Sequence, residues 1–319
     1  MTLNRLSGTR ASSAPMFAVL IVVGMVAPFV MYPTFLMKVL CFALFASAFN
    51  LLLGYVGLLS FGHAAFFGFS AYVCGYACRS LGAPPEVGIL AGTISAGVLG
   101  AIFGSLAIRR SGIYFAMITL ALAQLVYFIE VEAPFTGGED GLQGIPRGHL
   151  FGVIDLSNNL AMYYLVLAIY LAGFWLIHRT IHSPFGQILK AIRENEARAI
   201  SLGYAVDRYK LLAFVLSATL AGLAGATKAI VFQLASLTDA HWHTSGEVVL
   251  MTLLGGLGTV LGPSVGALTI VSLENWLADR VGSWVTVIMG GIFVVCVLVF
   301  RRGIVGELRA LRFARRTEA

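Results

Sequence analysis

The sequence predicts an all-α fold, a polytopic membrane helical bundle of about ten transmembrane helices with one or more broken or re-entrant segments. Hydrophobic residues make up 59% of the 319 residues, charged residues only 11%, and the mean hydropathy is +0.89. A soluble domain has about 45–50% apolar and about 25% charged residues, because its core needs a wettable surface. The composition therefore excludes a soluble enzyme. The 36 glycines agree, since glycine is frequent where membrane helices pack closely.

Each predicted helix comes from an apolar window of about 19 residues. The windows place spans near 15–34, 37–55, 58–79, 86–108, 111–131, 160–178, 211–232, 245–257, 260–278 and 282–300. The first apolar run continues past Pro28 and Pro33 without a signal-peptide cleavage site, which predicts a retained first helix. The eighth and ninth windows are short, glycine-rich and separated only by the residues around Gly258. A re-entrant or broken helix is the alternative to two clean spans there.

The basic residues predict the orientation. With a cytoplasmic N-terminus, sixteen of the 21 Lys and Arg residues fall inside and four outside, as the positive-inside rule requires. The inner residues are Arg5, Arg10, Arg109, Arg110, Arg179, Lys190, Arg193, Arg198, Arg208, Lys210, Arg301, Arg302, Arg309, Arg312, Arg315 and Arg316, and the outer ones are Lys38, Arg79, Arg147 and Arg280. The net charge of +6 is thus a topology signal, and we expect no nucleic-acid partner. The chain is predicted to form one transmembrane domain, 1–319, with a cytoplasmic loop near 179–210, an external loop near 132–159 and a cytoplasmic tail at 301–319.

The cytoplasmic loop is predicted to carry an amphipathic helix. Ser183 is a good N-cap, Pro184 suits the first helical position, and Gly203 suits the position just past the end. Apolar side chains at helical spacing form one stripe, namely Phe185, Ile188, Leu189, Ile192, Ala199 and Ile200. Such a helix either rests on the bilayer or inserts into a groove on a soluble partner. The chain has no GxxxxGK[ST] phosphate-binding loop, so any nucleotide must be bound by another polypeptide.

Four blocks of sequence occur in a characteristic order. They are NLLLGYVGLLSFGHAAFFGFSAY at 50–72, GIYFAMITLALAQ at 112–124 with TGGEDGL at 136–142, SPFGQILKAIRENEARAISLG at 183–203 with KLLAFVLSATLAGLAGA at 210–226, and EVVLMTLLGGLGTVLGPSVGA at 247–267. Together they resemble the membrane-permease subunit of ATP-binding-cassette importers for branched-chain amino acids, and most closely the longer of the two permease types. The resemblance covers about residues 35–300.

The resemblance implies that the loop helix docks on an ATPase as a coupling helix. The residues to which it assigns this role are Phe185, Ile188, Leu189, Ile192, Glu196 and Gly203. The sequence departs from the general importer pattern, because Glu196-Ala197 is followed by Arg198 and Gly203 comes one residue late. The implied partners are a second similar permease, two ATPase subunits that bind the ATP, a periplasmic or extracellular substrate-binding protein, and membrane lipid. The chain itself needs no cofactor, and its implied location is the bacterial cytoplasmic (inner) membrane, with both termini cytoplasmic.

Polar residues inside apolar windows are candidates for the substrate path, because polar groups are costly in hydrocarbon. The candidates are Ser60, Gly62, His63, Thr119 and Gln124. His63 follows a glycine-rich turn that can break the helix and leave free backbone groups facing a solute. The alternative for His63 is a histidine satisfied by a backbone carbonyl at a tight helix crossing. The alternative for Thr119 is a bond to the carbonyl one turn earlier in its own helix.

Charged residues near the outer ends of the spans have two further predicted roles. Lys228 can pair with Glu247 or Glu274 inside the membrane, or extend outward to the interface. Glu139 and Asp140 lie in an external loop too long for a plain connector, which favours docking of a binding protein over a solvated loop tip. We expect no metal site. Cys74 and Cys78 share a helical face but lack further ligands at suitable spacing, so small apolar packing residues are the better interpretation.

The predicted function is a permease subunit, not an enzyme, of an ATP-driven, binding-protein-dependent importer of branched-chain or other hydrophobic amino acids. One alternative is the same importer type acting on urea or short amides. An alternative from another class is an ATP-independent channel or ion-coupled carrier, which the scarcity of acidic residues in the predicted spans disfavours. A membrane enzyme would need a paired acid and base or a metal cluster at one depth, and the sequence pattern offers neither.

Overall fold

The structure is a computed structural model that describes residues 14–284, 287–288, 290–292, 294 and 303–307. The α-helices in this part of the chain are α1 (Ala14–Val26), α2 (Pro33–Tyr55), α3 (His63–Ser80), α4 (Pro85–Ala107), α5 (Ile113–Glu132), α6 (Asn159–Ile181), α7 (Pro184–Glu194), α8 (Glu196–Ser201), α9 (Val206–Phe232), α10 (Leu237–Ala240), α11 (Trp242–Gly255) and α12 (Gly262–Val281). Short 3₁₀ helices lie at Ala27–Phe29, Pro134–Thr136, Gly138–Asp140 and Gly282–Trp284. The predicted tenth span, 282–300, and the predicted tail, 301–319, lie largely outside the described residues.

The fold is an all-α bundle, as predicted. Among the residues that the structure describes, five helices are long and apolar enough to cross a membrane, namely α2, α4, α5, α6 and α9. The count of about ten spans therefore stays a prediction. Helix α11 has 14 residues, fewer than the roughly 20 that cross a bilayer, which fits the prediction of a short segment there.

Helix α2 lies at the centre of the bundle and packs against α6, α9 and α12. Its buried side chains include Phe45 and Phe49, which are fully enclosed. Helices α3, α4 and α9 form a second group packed tightly together. A helix that is apolar on all sides is typically buried in this way, and α2 matches that pattern. The helical structure is interrupted between α2 and α3. In this segment Gly57 has a positive φ of 83°, at the position where the sequence predicted a glycine-rich turn.

Close glycine contacts join neighbouring helices. A Cβ atom at Gly100 of α4 would press on the side chain of Ala218 in α9. A Cβ atom at Gly266 of α12 would overlap the backbone of Met251 in α11. These contacts place Gly100-x3-Gly104 and Gly262-x3-Gly266 on helix-packing surfaces. Helices α11 and α12 thus form a hairpin whose backbones approach very closely.

The few strands are short and join the external loop to the bundle. β1 (Leu142–Gln143) pairs antiparallel with β4 (Leu234–Ala235), which follows α9. β2 (His149–Leu150) pairs antiparallel with β3 (Ile154–Asp155) inside the loop. Although most of the loop surface is exposed, the β1–β4 pair ties its beginning to the end of α9.

Candidate functional site

A polar cavity of about 540 Å³ opens near the start of α2 and the end of α9. Helices α2, α9, α10, α11 and α12 and the turn before α11 supply its lining, which consists of Lys38, Phe42, Lys228, Thr238, Asp239, His241, His243, Thr244, Glu247 and Glu274. Three carboxylates and two lysines thus converge on one concave surface. Ionisable groups in an apolar chain are expensive and mark functional sites by default, which makes this cavity the leading candidate.

Three ion pairs organise the cavity. Lys38 Nζ lies 3.2 Å from Glu274 Oε2, across α2 and α12. Lys228 of α9 pairs with Asp239 of α10. His243 Nδ1 lies 3.4 Å from Glu247 Oε1, one turn along α11, and the attraction applies when the histidine is protonated.

The structure differs from the prediction for Lys228. Its predicted partners, Glu247 and Glu274, line the same cavity but pair with His243 and Lys38 instead. The physical reason is the short helix α10, which folds over α3 and α5 and brings Asp239 to Lys228. A hydropathy window does not detect a four-residue helix, so the sequence offered no partner at that position.

The ion pairs differ in their access to the cavity. The side chains of Lys228 and Asp239 are only 14% and 7% exposed, whereas those of Lys38 and Glu274 are 29% and 37% exposed. Lys228 also lies 5.8 Å from the ring centres of both Phe67 and Phe232, which stabilise its charge. The Lys228–Asp239 pair therefore anchors α10 to α9, and the Lys38–Glu274 pair faces the open space.

The predicted path residues lie around the start of α3, away from the polar cavity. Ser60, His63 and Thr119 are fully buried. The Phe61 N–H donates to Thr119 Oγ1 at 3.2 Å, and a Cβ atom at Gly62 would overlap the carbonyl oxygen of Thr119. The structure thus brings Ser60, Gly62, His63 and Thr119 together where the segment between α2 and α3 contacts α5. These are four of the five predicted residues. None of the five is among the described residues that line the polar cavity.

His63 lies in an aromatic enclosure. Its ring meets those of Phe49, Phe66 and Phe214 edge to face, at centroid distances of 5.1, 5.5 and 6.0 Å. Its Nε2 lies 2.8 Å from the hydroxyl oxygen of Ser217, which donates its own proton to the carbonyl of Ala48 at 2.5 Å. Because a hydroxyl has one proton, Nε2 must carry the hydrogen and donate it to Ser217. His63 therefore links α3, α9 and α2, in an arrangement close to the packing alternative.

Two polar side chains of α5 carry buried atoms that have no hydrogen-bond partner within the described part of the chain. One is the predicted path residue Gln124, whose Nε2 is buried. The other is Glu130, a residue that the sequence reasoning missed and that is only 1% exposed. Position 130 falls inside the predicted fifth span. An acidic residue there could have identified Glu130 as a candidate functional residue from the sequence alone.

An apolar cavity of about 410 Å³ borders the break between α2 and α3. Its lining is Gly57, Leu58, Leu59, Phe61, Gly112, Ile113, Phe115 and Ala116. The predicted break thus borders open space. The side chains that reach this space are apolar, unlike those of the polar cavity.

The loop between α6 and α9 contains two helices where one was predicted. Ser183 accepts a hydrogen bond from the Gly186 N–H at 3.3 Å, which confirms the predicted N-cap. Helix α7 ends at Glu194 because Asn195 adopts an extended conformation, and the Asn195 side chain then caps α8 through the Arg198 N–H at 3.0 Å. Gly203, with φ of 86°, follows α8 as predicted.

Most of the apolar stripe of the loop faces the chain itself, whereas Ile200 at its end does not. Leu189 and Ile192 are buried, and Phe185 stacks on Tyr209 at 5.8 Å. Glu196 pairs with the buried Lys210 at 2.5 Å. The exposed apolar side chains of the loop are instead Ile200 and Leu202, which are 58% and 67% exposed. Most of the predicted coupling residues thus fix the loop to the bundle, and a different surface is available to a partner.

Arg193 joins this loop to the centre of the bundle. Its guanidinium donates to the carbonyl of Gly54 near the end of α2. Asn50, one turn earlier, accepts from the Gly258 N–H at 3.1 Å and donates to the Thr259 carbonyl at 2.9 Å. Helix α7, the end of α2 and the turn between α11 and α12 therefore share one hydrogen-bonded junction. The junction and the polar cavity lie toward opposite ends of α2.

The external loop is held at both ends while its acidic tip is exposed. Arg147 donates to Asn159 Oδ1 at 2.8 Å and to the Val231 carbonyl at 2.7 Å. The Ser157 N–H donates to Asp155 Oδ1 at 2.9 Å, and this bond holds the pKa of Asp155 below its usual value. The predicted docking residues Glu139 and Asp140 are both exposed on a 3₁₀ turn. They are accessible to another protein.

Comparisons with known proteins agree with this architecture. The family model described as "branched-chain amino acid transport system / permease component" matches residues 31–298. The chain is 27% identical over 284 residues to the high-affinity branched-chain amino acid transport system permease protein LivM of Salmonella typhimurium, covering 82% of this chain and 66% of that protein. It is 26% identical over 283 residues to LivM of Escherichia coli, with the same coverage.

A second group of relatives is named for a different import system. The autoinducer 2 import system permease protein LsrC of Klebsiella pneumoniae is 31% identical over 220 residues, covering 64% of this chain and 61% of that protein. The matched regions thus span just under two thirds of the length of these relatives. No solved structure is significantly similar to the chain. Since the family match covers most of the sequence, the chain belongs to the family of permease components of branched-chain amino acid transport systems.

Proposed function

We propose that the chain is the permease subunit of an ATP-driven, binding-protein-dependent importer of branched-chain or other hydrophobic amino acids. The observation that carries the proposal is the family match over residues 31–298. The described architecture supports it, because a helical loop is fastened to the bundle and presents exposed apolar side chains at the end of α2 opposite the polar cavity. Such a surface suits a soluble partner that drives the bundle from one side.

The partners follow from this proposal. Two ATPase subunits dock on the loop between α6 and α9 in the cytoplasm, and a second, similar permease completes the pore. A substrate-binding protein meets the external loop, where Glu139 and Asp140 are exposed. The chain lies in the bacterial inner membrane with both termini in the cytoplasm, the orientation that the basic residues favour.

We propose the loop residues that contact the ATPase on the basis of their exposure. Leu189 and Ile192 already pack inside the chain, so they support the loop. We place the contact on the exposed surface of α8 and the turn after it, at Ile200 and Leu202. Gly203 ends this surface, and the buried Lys210 holds α8 through Glu196.

The docking surface can be tested by co-purification of the ATPase. Replacing both Ile200 and Leu202 with Asp should abolish association, because two charges would enter an apolar contact. Val153→Asp is the matched control, since Val153 is 84% exposed in the external loop. Association that persists in the double variant would place the contact elsewhere.

Uptake in reconstituted vesicles tests the function itself. Uptake of L-leucine should require the ATPase subunits, ATP and the binding protein. Uptake that persists without ATP would support the channel or carrier alternative. The similarity to LsrC provides a second candidate substrate, autoinducer 2, and uptake of urea or a short amide tests the remaining alternative.

A further inference from the structure

We propose that the polar cavity binds the charged head of a zwitterionic amino acid, with the Lys38–Glu274 pair as the element that opens to receive it. The inference rests on the proposed function and adds a site and a substrate class to it. Lys38 would bind the carboxylate of the amino acid, and Glu274 together with Glu247 would bind its ammonium group.

The charges of the cavity match both ends of a zwitterion. Lys38 and Glu274 lie 3.2 Å apart, and both remain about one-third exposed to the cavity. Glu247 is 30% exposed on the same lining. With neutral histidines the lining has three carboxylates against two lysines, so it holds one more negative charge than positive charge. An incoming ammonium group therefore finds an acidic partner beyond the one already paired with Lys38.

Exchange of partners makes this site selective. If an amino acid enters, the Lys38–Glu274 bond is replaced by two bonds of the same kind, and no buried charge loses its partner. A solute with only an amine or only a carboxylate would leave one member of the pair uncompensated, which is costly in a poorly solvated place. An uncharged polyol offers no replacement for either charge. Discrimination then comes from the penalty on the wrong solute as much as from attraction to the right one.

The size and walls of the cavity fit an apolar side chain beside the charged head. Its volume of about 540 Å³ lies within the range of roughly 300–1,000 Å³ usual for small-molecule sites. Phe42 lies one turn beyond Lys38 on α2, with its ring centre 6.0 Å from Lys38 Nζ. A hydrocarbon side chain can therefore contact Phe42 while the carboxylate binds Lys38.

The more buried Lys228–Asp239 pair has a different role. It lies against Phe67 and Phe232 and holds α10 in place, so its loss would collapse the wall of the cavity. Variants that test recognition must therefore be made at Lys38, Glu247 and Glu274, where side chains are accessible.

The test is direct binding of radiolabelled L-leucine to the permease–ATPase complex in lipid nanodiscs, without binding protein. The double variant Lys38→Met/Glu274→Met removes both charges together and leaves neither unpaired. It should bind L-leucine at least tenfold more weakly, and Glu247→Gln should weaken binding severalfold. Isoamylamine and isocaproate, which each carry one of the two charges, should compete at least tenfold less well than unlabelled L-leucine. Glu132→Gln, at the exposed end of α5, is the control and should bind as the unaltered chain does.

Each failure has a distinct meaning. Unchanged L-leucine binding in an assembled Lys38→Met/Glu274→Met complex would overturn the cavity as the site. Equal competition by isoamylamine would overturn recognition of a zwitterion, and so would a lack of L-leucine binding by the unaltered complex. ATP-dependent uptake with the binding protein is measured in parallel. If that uptake is present while the cavity variants bind normally, this inference fails and the proposed function stands, whereas absence of uptake counts against the proposed function.

Discussion

At the residue scale, the hydroxyl of Ser217 satisfies two buried groups at once. It accepts from His63 and donates to the Ala48 carbonyl. We predict that Ser217→Ala lowers the free energy of unfolding by about 1–3 kcal/mol, because the Nε2–H of His63 stays buried without a bond. Thr219→Ala is the matched control, since the Thr219 hydroxyl bonds only the Val215 carbonyl of its own helix. Thermal denaturation of the purified complex should separate the two variants, and an equal loss of stability would contradict the assigned bonds.

The sequence identified His63 as special but could not predict its surroundings. Phe49, Phe66 and Phe214 come from three different helices, and only the packing of those helices places them around one ring. The same limit applies to Lys228, because its partner Asp239 lies on a helix too short to leave a hydropathy signal. The sequence showed which polar side chains lie in apolar helices and must be paired. Only the tertiary structure determines which groups pair with them.

At the element scale, the hairpin of α11 and α12 depends on the absence of side chains at its contact. A Cβ atom at Gly266 would overlap the carbonyl oxygen of Met251, which is backbone and cannot turn aside. We predict that Gly266→Ala destabilises the chain by about 1–3 kcal/mol or more through overpacking. Gly246→Ala, where nothing lies within 4 Å of the added atom, should leave stability equal or slightly higher. The yield of assembled complex and its thermal midpoint measure both, and a harmless Gly266→Ala would mean that the two helices can separate.

The proposed coupling role requires the loop helices to be fastened to the bundle, and Arg193 makes one of the bonds that fasten them. It bonds Gly54 at the end of α2, beside the turn that Asn50 holds. We predict that Arg193→Gln reduces leucine uptake at least tenfold while ATP hydrolysis continues, because the loop then moves without α2. Arg79→Gln, at the exposed end of α3, should preserve both activities. Parallel measurement of uptake and hydrolysis in the same vesicles decides the matter. A proportional loss of both would indicate impaired assembly rather than uncoupling.

At the scale of the whole molecule, hydropathy predicted an all-α bundle and the approximate position of most helices. It could not predict the central place of α2, because a membrane helix and a core helix are equally apolar. It also merged the loop into one helix, since Asn195 breaks that helix without a glycine or proline. The repeated apolar windows therefore predicted the all-α fold class and the order of the helices along the chain. The polar cavity arose from charges at the ends of helices α2, α9, α11 and α12, which are far apart in the sequence.

The orientation of the whole bundle has a direct test. Helix α6 is the one helix between Val153 and Leu202 that is long and apolar enough to cross a membrane, so the proposed topology places these two residues on opposite sides. We predict that Val153→Cys reacts in intact cells with a membrane-impermeant maleimide, and that Leu202→Cys reacts only after the cells are permeabilised. Both side chains are largely exposed, whereas Cys41, Cys74 and Cys78 are buried. A Cys296→Ser background removes the fourth cysteine, which lies outside the described residues. Reaction of Leu202→Cys in intact cells would reverse the topology, and reaction of both variants there would show that α6 does not cross.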